Sequence, residues 1–158
     1  MTDVFQAKLL RQLNEITAES ERLSETFRLT ANRLASDDWY ERYLSAAGFA
    51  AIIDKIYTRI EILLMAVAKK IDTEVPDGHS WHRELLQQMN LVTHARPALV
   101  SDELFLQLDE LRAFRHFERN SYSSTIKPEV IPDKVRLCLA AVALLQRDFD
   151  RFLTSYFS

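Results

Sequence analysis

Glycine and proline are so scarce in this chain that they restrict the folds available to it. The 158 residues include two glycines and four prolines, whereas these two residue types make up roughly 12% of average proteins. β-Sandwiches, β-barrels and disordered tails need more turn residues than this. The chain is therefore predicted to be all-α. The two glycines, Gly48 and Gly78, also cannot form the glycine-rich loop of the common phosphate-binding motifs.

Length and composition indicate one domain over residues 1–158. Hydrophobic residues make up 47% of the chain and charged residues 27%, which is enough apolar material for a core. The single cysteine, Cys138, cannot form an internal disulfide and is expected in the core. No apolar run approaches the roughly 20 residues that span a bilayer, and the N-terminus lacks a basic region followed by an apolar stretch. We therefore expect a cytoplasmic protein without membrane contact.

The first half of the chain is predicted to form a long antiparallel helical hairpin. Apolar residues recur in alternating steps of three and four between residues 3 and 35 and again between 39 and 71, which is the period of an amphipathic helix. The segment Ser36–Asp38 offers an N-cap and acidic first-turn residues for the second helix, so the tip of the hairpin is expected near Ser36. The two apolar series are Leu9, Leu13, Ile16, Leu23, Phe27, Leu34 and Phe49, Ile53, Ile56, Ile60, Leu63, Val67.

The second half is predicted to add three more helices. Ser80 can cap a short helix, Ser101 begins a longer one that ends in the polar segment 121–125, and Pro128 or Pro132 lies near the start of the last helix. Short connections between these elements favour an up-down bundle of four helices with one extra short helix. The apolar face of the last helix comprises Cys138, Val142, Leu145, Phe149, Phe152 and Tyr156.

Three of the four histidines carry little functional signal in the sequence. His79 and His82 flank Trp81 at the boundary between a loop and a helix, but a metal site would need two further ligands that the neighbouring sequence does not supply. His94 lies in a loop-like stretch and is expected to face solvent. We therefore predict no metal and no cofactor. Common enzyme motifs such as His-Glu-x-x-His and the nucleophile elbow do not occur in the chain.

The segment 111–122 differs from the rest of the chain in its charge. The formal net charge of −3 argues against binding nucleic acid through bulk charge, yet this segment alternates basic and aromatic residues. Arg112, Arg115, His116 and Arg119 are spaced by three and four, so they share one helical face. Such a face could hold a phosphate through guanidinium contacts, or it could be an ordinary solvated basic face.

The same segment resembles a known signature. Its nine residues Phe114 to Tyr122, Phe-Arg-His-Phe-Glu-Arg-Asn-Ser-Tyr, are similar to the signature of HepT-like ribonuclease toxins in the HEPN superfamily, and the segments 81–89 and 96–99 resemble linking segments of that group. In the signature an arginine is followed by a histidine after a short gap, and a tyrosine follows the histidine after one residue. The resemblance covers residues 57–122, and the order of the helices agrees outside that range.

The resemblance implies a metal-independent endoribonuclease that acts on tRNA or other structured RNA. Such a protein is a homodimeric helical bundle in which two motifs meet in a cleft, and its cognate antitoxin is an MNT-type nucleotidyltransferase. Carried over to this chain, Arg115 binds the scissile phosphate, His116 helps to orient it, and Arg112 and Arg119 bind RNA. The antitoxin transfers AMP to Tyr122.

One position departs from the signature, because Asn120 occupies the place of the catalytic histidine. An amide cannot take up and return a proton near neutral pH as an imidazole can, so RNA cleavage is expected to be impaired. In order of preference, Asn120 is a substitution made to allow a toxic protein to be produced, it marks a naturally impaired homologue, or the site is shifted and His116 is the base. The alternative function is a non-catalytic helical interaction module.

Helical geometry adds a constraint on the site. At about 100° per residue, Arg115 and Asn120 are about 140° apart on a straight helix, whereas Tyr122 lies within about 20° of Arg115. The helix is therefore expected to end or bend near Arg119, or a second subunit is expected to complete the site. Tyr122 would then be accessible to a modifying enzyme, or it would simply be an aromatic residue packed at a helix end.

Overall fold

The computed structural model describes residues 3–120 and 126–158, and these form five α-helices without a β-strand. Helices α1, α2, α4 and α5 form an up-down bundle, and the short α3 packs against α2 and α4. The predicted all-α bundle is thus confirmed. The helices are α1 (Val4–Thr30), α2 (Trp39–Val67), α3 (Trp81–Asn90), α4 (Asp102–Asn120) and α5 (Ile131–Tyr156).

Helices α1 and α2 form the predicted antiparallel hairpin. Ion pairs across it show the antiparallel register, because Lys55 reaches Glu19 at 3.2 Å and Arg59 reaches Glu15 at 3.1 Å. At the start of α1, the side chain of Asp3 accepts a hydrogen bond from the Phe5 amide at 2.7 Å, which satisfies one of the free donors of the first turn.

Both helical segments of the hairpin reach their predicted ends near residues 35 and 71, but their last turns are not α-helical. Helix α1 passes at Thr30 into a 3₁₀-helix, Ala31–Ala35, and α2 passes into a π-helical turn, Ala68–Asp72. The Thr30 hydroxyl bonds back to the Thr26 carbonyl at 2.7 Å, a contact that competes with regular helix geometry. The N-cap of α2 is Asp38, which lies in the predicted segment 36–38, although its side chain makes no capping hydrogen bond.

The core is built from the apolar series of the sequence. Every member of the α2 series is at most 3% exposed, and the α5 series is buried from Cys138 to Phe152. Burial raises the pKa of the Cys138 thiol to about 12, so this cysteine is a packing residue that stays protonated. Among the described helices, none combines the length and the apolar character that a membrane crossing requires.

A buried ion pair fixes the connections on both sides of α3. The guanidinium of Arg96, 3% exposed, donates to both carboxylate oxygens of Asp72 at 2.7 and 2.8 Å and to three backbone carbonyls. Gln88 of α3 also donates to Asp72 at 2.7 Å. The end of α2 and the segment after α3 are therefore joined through one side-chain network, which sets the position of α3 beside α4.

Candidate active site

A small pocket of about 160 Å³ opens between α3 and the C-terminal half of α4. Five of its six lining residues come from the basic segment of α4, as their helical spacing predicts, and the sixth comes from α3. All six carry side chains that can form hydrogen bonds, and most can carry positive charge. The lining residues are His82, Arg112, Arg115, His116, Arg119 and Asn120.

Arg115 is buried rather than solvated. Its side chain is only 5% exposed and pairs with Glu61 of α2, where Nη2 lies 2.8 Å from Oε1. Nη1 donates to the Thr58 hydroxyl at 3.0 Å, Cζ lies 4.6 Å from the centre of the Tyr57 ring, and Nε lies 3.9 Å from Asp54. A solvated basic face is therefore the wrong interpretation for Arg115, because polar side chains of α2 pack directly against its guanidinium group.

The two neighbouring arginines are also paired within the chain. Arg119 donates through Nε and Nη2 to both oxygens of Asp54 at 3.0 and 2.8 Å, and this hydrogen bonding raises the pKa of Arg119 above its usual value. Arg112 donates to Asp109 at 2.8 Å. The side chain of Arg119 remains half exposed and that of Arg112 about one quarter exposed, so both can reach a ligand in the pocket.

His82 shares the carboxylate of Glu61 with Arg115. Its Nδ1 lies 2.5 Å from Glu61 Oε2 and 3.0 Å from Arg115 Nη2. A carboxylate only accepts and a guanidinium only donates, so Nδ1–H points to Glu61 while Arg115 donates to the other oxygen of the same carboxylate. The ring of Trp81 covers the imidazole at a centroid distance of 3.6 Å. About one third of the His82 side chain stays exposed at the pocket.

Asn120 and His116 interact at the C-terminal end of α4. The Asn120 amide donates to the His116 carbonyl at 2.8 Å and lies 3.3 Å from His116 Nδ1. Helix α4 is continuous through Asn120, yet Arg115 and Asn120 line the same pocket. Both residues therefore line one cavity although Asn120 lies five residues, about 1.4 turns, beyond Arg115. The described part of α4 ends at Asn120, so the expected end or bend near Arg119, or completion of the site by a second subunit, stays a prediction.

Two further groups on this side of the bundle lack partners among the described residues. The Tyr57 hydroxyl and Oε2 of Glu118 are buried without a hydrogen bond there. Burial, reinforced by the negative charge of Glu61, raises the pKa of Tyr57 far above its usual value. Burial, reinforced by Asp54, also raises the pKa of Glu118. Burial thus disfavours the charged form of each group.

The other residues singled out in the sequence are not among those that line the pocket. Tyr122 lies outside the described residues. His79 and His94 are exposed, as expected for His94, and His79 does not join His82 at the pocket. Within the described ranges, no three His, Cys, Asp or Glu side chains lie close enough together to hold a metal ion.

Sequence reasoning missed the acidic partners of the basic segment. Asp54, Thr58 and Glu61 recur in steps of four and three on α2, so they share a face of the helix. This polar stripe beside the apolar face of α2 was the available signal. Its spacing matches that of Arg112, Arg115 and Arg119, which indicates two complementary faces.

The protein is an all-α helical bundle with an arginine-rich pocket beside its short third helix. The family model described as HepT-like protein matches residues 48–156, a range that includes the whole pocket. The chain therefore belongs to the HepT-like family, and it is consistent with a HepT-like HEPN toxin. No significant match to the chain occurs among curated proteins or solved structures.

Proposed function

We propose that this protein is a HepT-type toxin that cleaves tRNA or another structured RNA without a metal ion. The observation that carries the proposal is the convergence of Arg112, Arg115 and Arg119 on one pocket in a chain of the HepT-like family. Guanidinium groups suit phosphate recognition because their planar donors match the phosphate oxygens. RNA substrates of this kind place the proposed activity in the cytoplasm.

The proposed reaction is an attack of the ribose 2′-oxygen on the adjacent phosphorus. The products are a 2′,3′-cyclic phosphate and a free 5′-hydroxyl. Arg115 stabilises the charge that develops on the phosphate oxygens, because a fixed donor in a partly dry site acts more strongly than one in water. His116 helps to orient the phosphate. Proton transfer is the weak step, since Asn120 stands where the family has its histidine.

Replacing the amide by an imidazole tests this proposal. Asn120→His is expected to raise the rate of tRNA cleavage by about 10²-fold or more, because general acid-base catalysis contributes about 10²–10⁴-fold. Cleavage should persist in EDTA, and Arg115→Lys in the same background should reduce it strongly. Arg136→Ala is the control, since Arg136 lies on α5, is about two thirds exposed and pairs with Asp133. A variant Asn120→His that neither cuts nor binds tRNA would contradict the proposal.

The proposal includes control by a nucleotidyltransferase antitoxin that transfers AMP to Tyr122. The added phosphate would place negative charge two residues after Asn120 in the sequence and repel the RNA backbone. Incubation with the cognate enzyme, ATP and Mg²⁺ should add adenylate groups that mass spectrometry detects. They should disappear in Tyr122→Phe and persist in Tyr43→Phe, whose native side chain is half exposed. Adenylate that persists in Tyr122→Phe would move the acceptor elsewhere.

A further inference from the structure

The pocket contains a histidine outside the family signature that can do what Asn120 cannot. His82 enters from α3, about one third of its side chain is exposed, and it shares the pocket with Arg115, Arg119 and Asn120. Imidazole is the one side chain whose ordinary pKa allows it to take up and release a proton near neutral pH. The site therefore has an acid-base group even though the position of the signature histidine is an amide.

Glu61 places the His82 imidazole in the form that a base requires. Its carboxylate, 7% exposed, accepts from Nδ1–H at 2.5 Å, which leaves Nε2 as the nitrogen with a free lone pair. A carboxylate that holds one imidazole nitrogen also stabilises the imidazolium formed when the other nitrogen takes up a proton. Arg115 in turn holds the second oxygen of Glu61 at 2.8 Å, so the carboxylate cannot turn away.

The ring of His82 is held on its face as well as at its edge. Trp81 lies over the imidazole with a centroid distance of 3.6 Å and an interplanar angle of 30°. Contacts from Glu61, Arg115 and Trp81 thus restrict the orientation of the ring. Such preorganisation reduces the entropy that must be lost to reach a reactive geometry.

His116, the other imidazole at the pocket, is arranged less favourably. It is exposed, and the Asn120 amide approaches its Nδ1 at 3.3 Å. The amide nitrogen only donates, so a hydrogen bond between the two side chains would occupy the lone pair of His116 Nδ1. Among the described residues, the hydrogen-bonding contacts of the His82 ring are made at Nδ1, and none of them occupies Nε2. The comparison favours His82 over His116 as the base.

We propose that His82, positioned by Glu61, is the general base for RNA cleavage in this chain, an inference that rests on the proposed function. His82 Nε2 takes the proton of the ribose 2′-hydroxyl as the 2′-oxygen bonds to phosphorus and the bond from phosphorus to the 5′-oxygen breaks. The leaving oxygen takes a proton from water, and the imidazolium returns its proton to the resulting hydroxide. The charged and titratable groups that face His82 are Glu61 from α2 and Arg112, Arg115, His116 and Arg119 from α4.

The test compares the native chain with His82→Gln on purified tRNA in the presence of EDTA. His82→Gln is expected to lower the cleavage rate by about 10²-fold or more while the dissociation constant for tRNA changes less than about threefold. His79→Gln is the matched control, because His79 is an exposed histidine just before α3 that does not line the pocket. It should cleave at the native rate.

Rescue by free imidazole separates a catalytic role from a structural one. His82→Ala removes the ring, and imidazole in the buffer should restore at least a tenth of the native rate, whereas it should not accelerate His79→Ala. The same variants are compared by circular dichroism and thermal melting. If His82→Gln does not fold, rescue of His82→Ala decides the assignment.

The outcomes distinguish this inference from the function on which it rests. Cleavage by His82→Gln at the native rate overturns the assignment of His82, and so does a loss that imidazole cannot restore. A native chain that binds tRNA but cuts it only after Asn120→His also overturns the assignment, while the proposed function stands. If neither the native chain nor Asn120→His binds or cuts tRNA, the proposed function itself fails.

Discussion

At the scale of single residues, the burial of Arg115 explains why acidic side chains lie inside this bundle. A guanidinium that is 5% exposed needs counter-charges and acceptors, because an unpaired charge in the interior is costly. Glu61, itself 6% exposed, provides the closest carboxylate, and Thr58 provides a neutral acceptor. The same pairing orients His82, so one carboxylate serves both the stability and the geometry of the pocket.

Removing this carboxylate is expected to destabilise the protein strongly. Glu61→Ala leaves the Arg115 charge buried without its main partner, which costs about 3–5 kcal/mol for a buried pair. Glu15→Ala is the control, because Glu15 is about half exposed and pairs with Arg59 and Arg11 at the surface, and each such pair contributes less than about 1 kcal/mol. Urea denaturation measures both changes in the free energy of unfolding. Equal losses in the two variants would contradict the role assigned to Glu61.

At the scale of elements, the position of α3 depends on side chains outside it. Arg96 and Asp72 lie in the connections that flank α3, and Gln88 joins the helix to their ion pair. The amides of Leu99 and Val100 both bond to the carbonyl of Met89 at 3.0 Å, which ties the following segment to the end of the helix. These contacts hold α3, and with it His82, against α4.

The Arg96–Asp72 pair predicts a loss of stability in acid. Burial alone would raise the pKa of Asp72, but hydrogen bonds from Arg96 and Gln88 outweigh burial and lower it. A carboxyl whose pKa is lower in the folded state stabilises the fold above its unfolded pKa, and this contribution disappears as the pH falls through the folded pKa. The free energy of unfolding should therefore decrease below about pH 4.

The contribution of Asp72 can be separated from that of other carboxyls. Asp72→Asn should be less stable than the native chain at neutral pH and should lose less additional stability on acidification. Asp77→Asn, at an exposed loop position, should follow the native curve. Chemical denaturation at a series of pH values gives these curves. An Asp72→Asn curve parallel to the native one would show that this pair does not contribute to acid sensitivity.

At the scale of the whole molecule, the charge around the pocket is balanced within one chain. Arg112, Arg115 and Arg119 each pair with a carboxylate, those of Asp109, Glu61 and Asp54 respectively. One such site attracts a distant polyanion only weakly, since each ion pair has no net charge and salt screens the remaining field beyond about one Debye length. The side chains of Arg112 and Arg119 stay partly exposed, so two pockets facing each other across a symmetry axis would bring twice as many accessible guanidinium groups into direct contact with one RNA.

We therefore predict that the protein is a homodimer whose two basic segments approach each other. Sedimentation velocity should give about twice the chain mass of 18.4 kDa. Closed two-fold assemblies are the most common form of soluble oligomer. A monomer at tens of micromolar would contradict this prediction, as would a dimer in which distance measurements between spin labels near Arg112 place the two segments on opposite sides.

The sequence predicted most of the helical bundle, but only part of the candidate site. Helical periodicity is a local property, so the sequence correctly predicts the apolar faces of α2 and α5. The ends of the first two helical segments near residues 35 and 71 were predicted as well, but the change from α-helical to 3₁₀ and π-helical turns was not, because such turns have no strong composition signal. For the site, the spacing of Arg112, Arg115 and Arg119 correctly placed them on one face, but it carried no information on what lies opposite.

By itself, the sequence determined that this chain is helical, which faces of its helices are apolar and where its unusual basic segment lies, because these depend on residues within a few turns of one another. Only the tertiary structure decided which of the basic residues are buried and which histidine has a carboxylate partner. Glu61 and His82 are 21 residues apart and lie on different helices. Their contact, like that of Glu61 with Arg115, arises from the packing of α2, α3 and α4. Because these side chains are largely removed from water, leaving one of their charges unpaired would cost free energy.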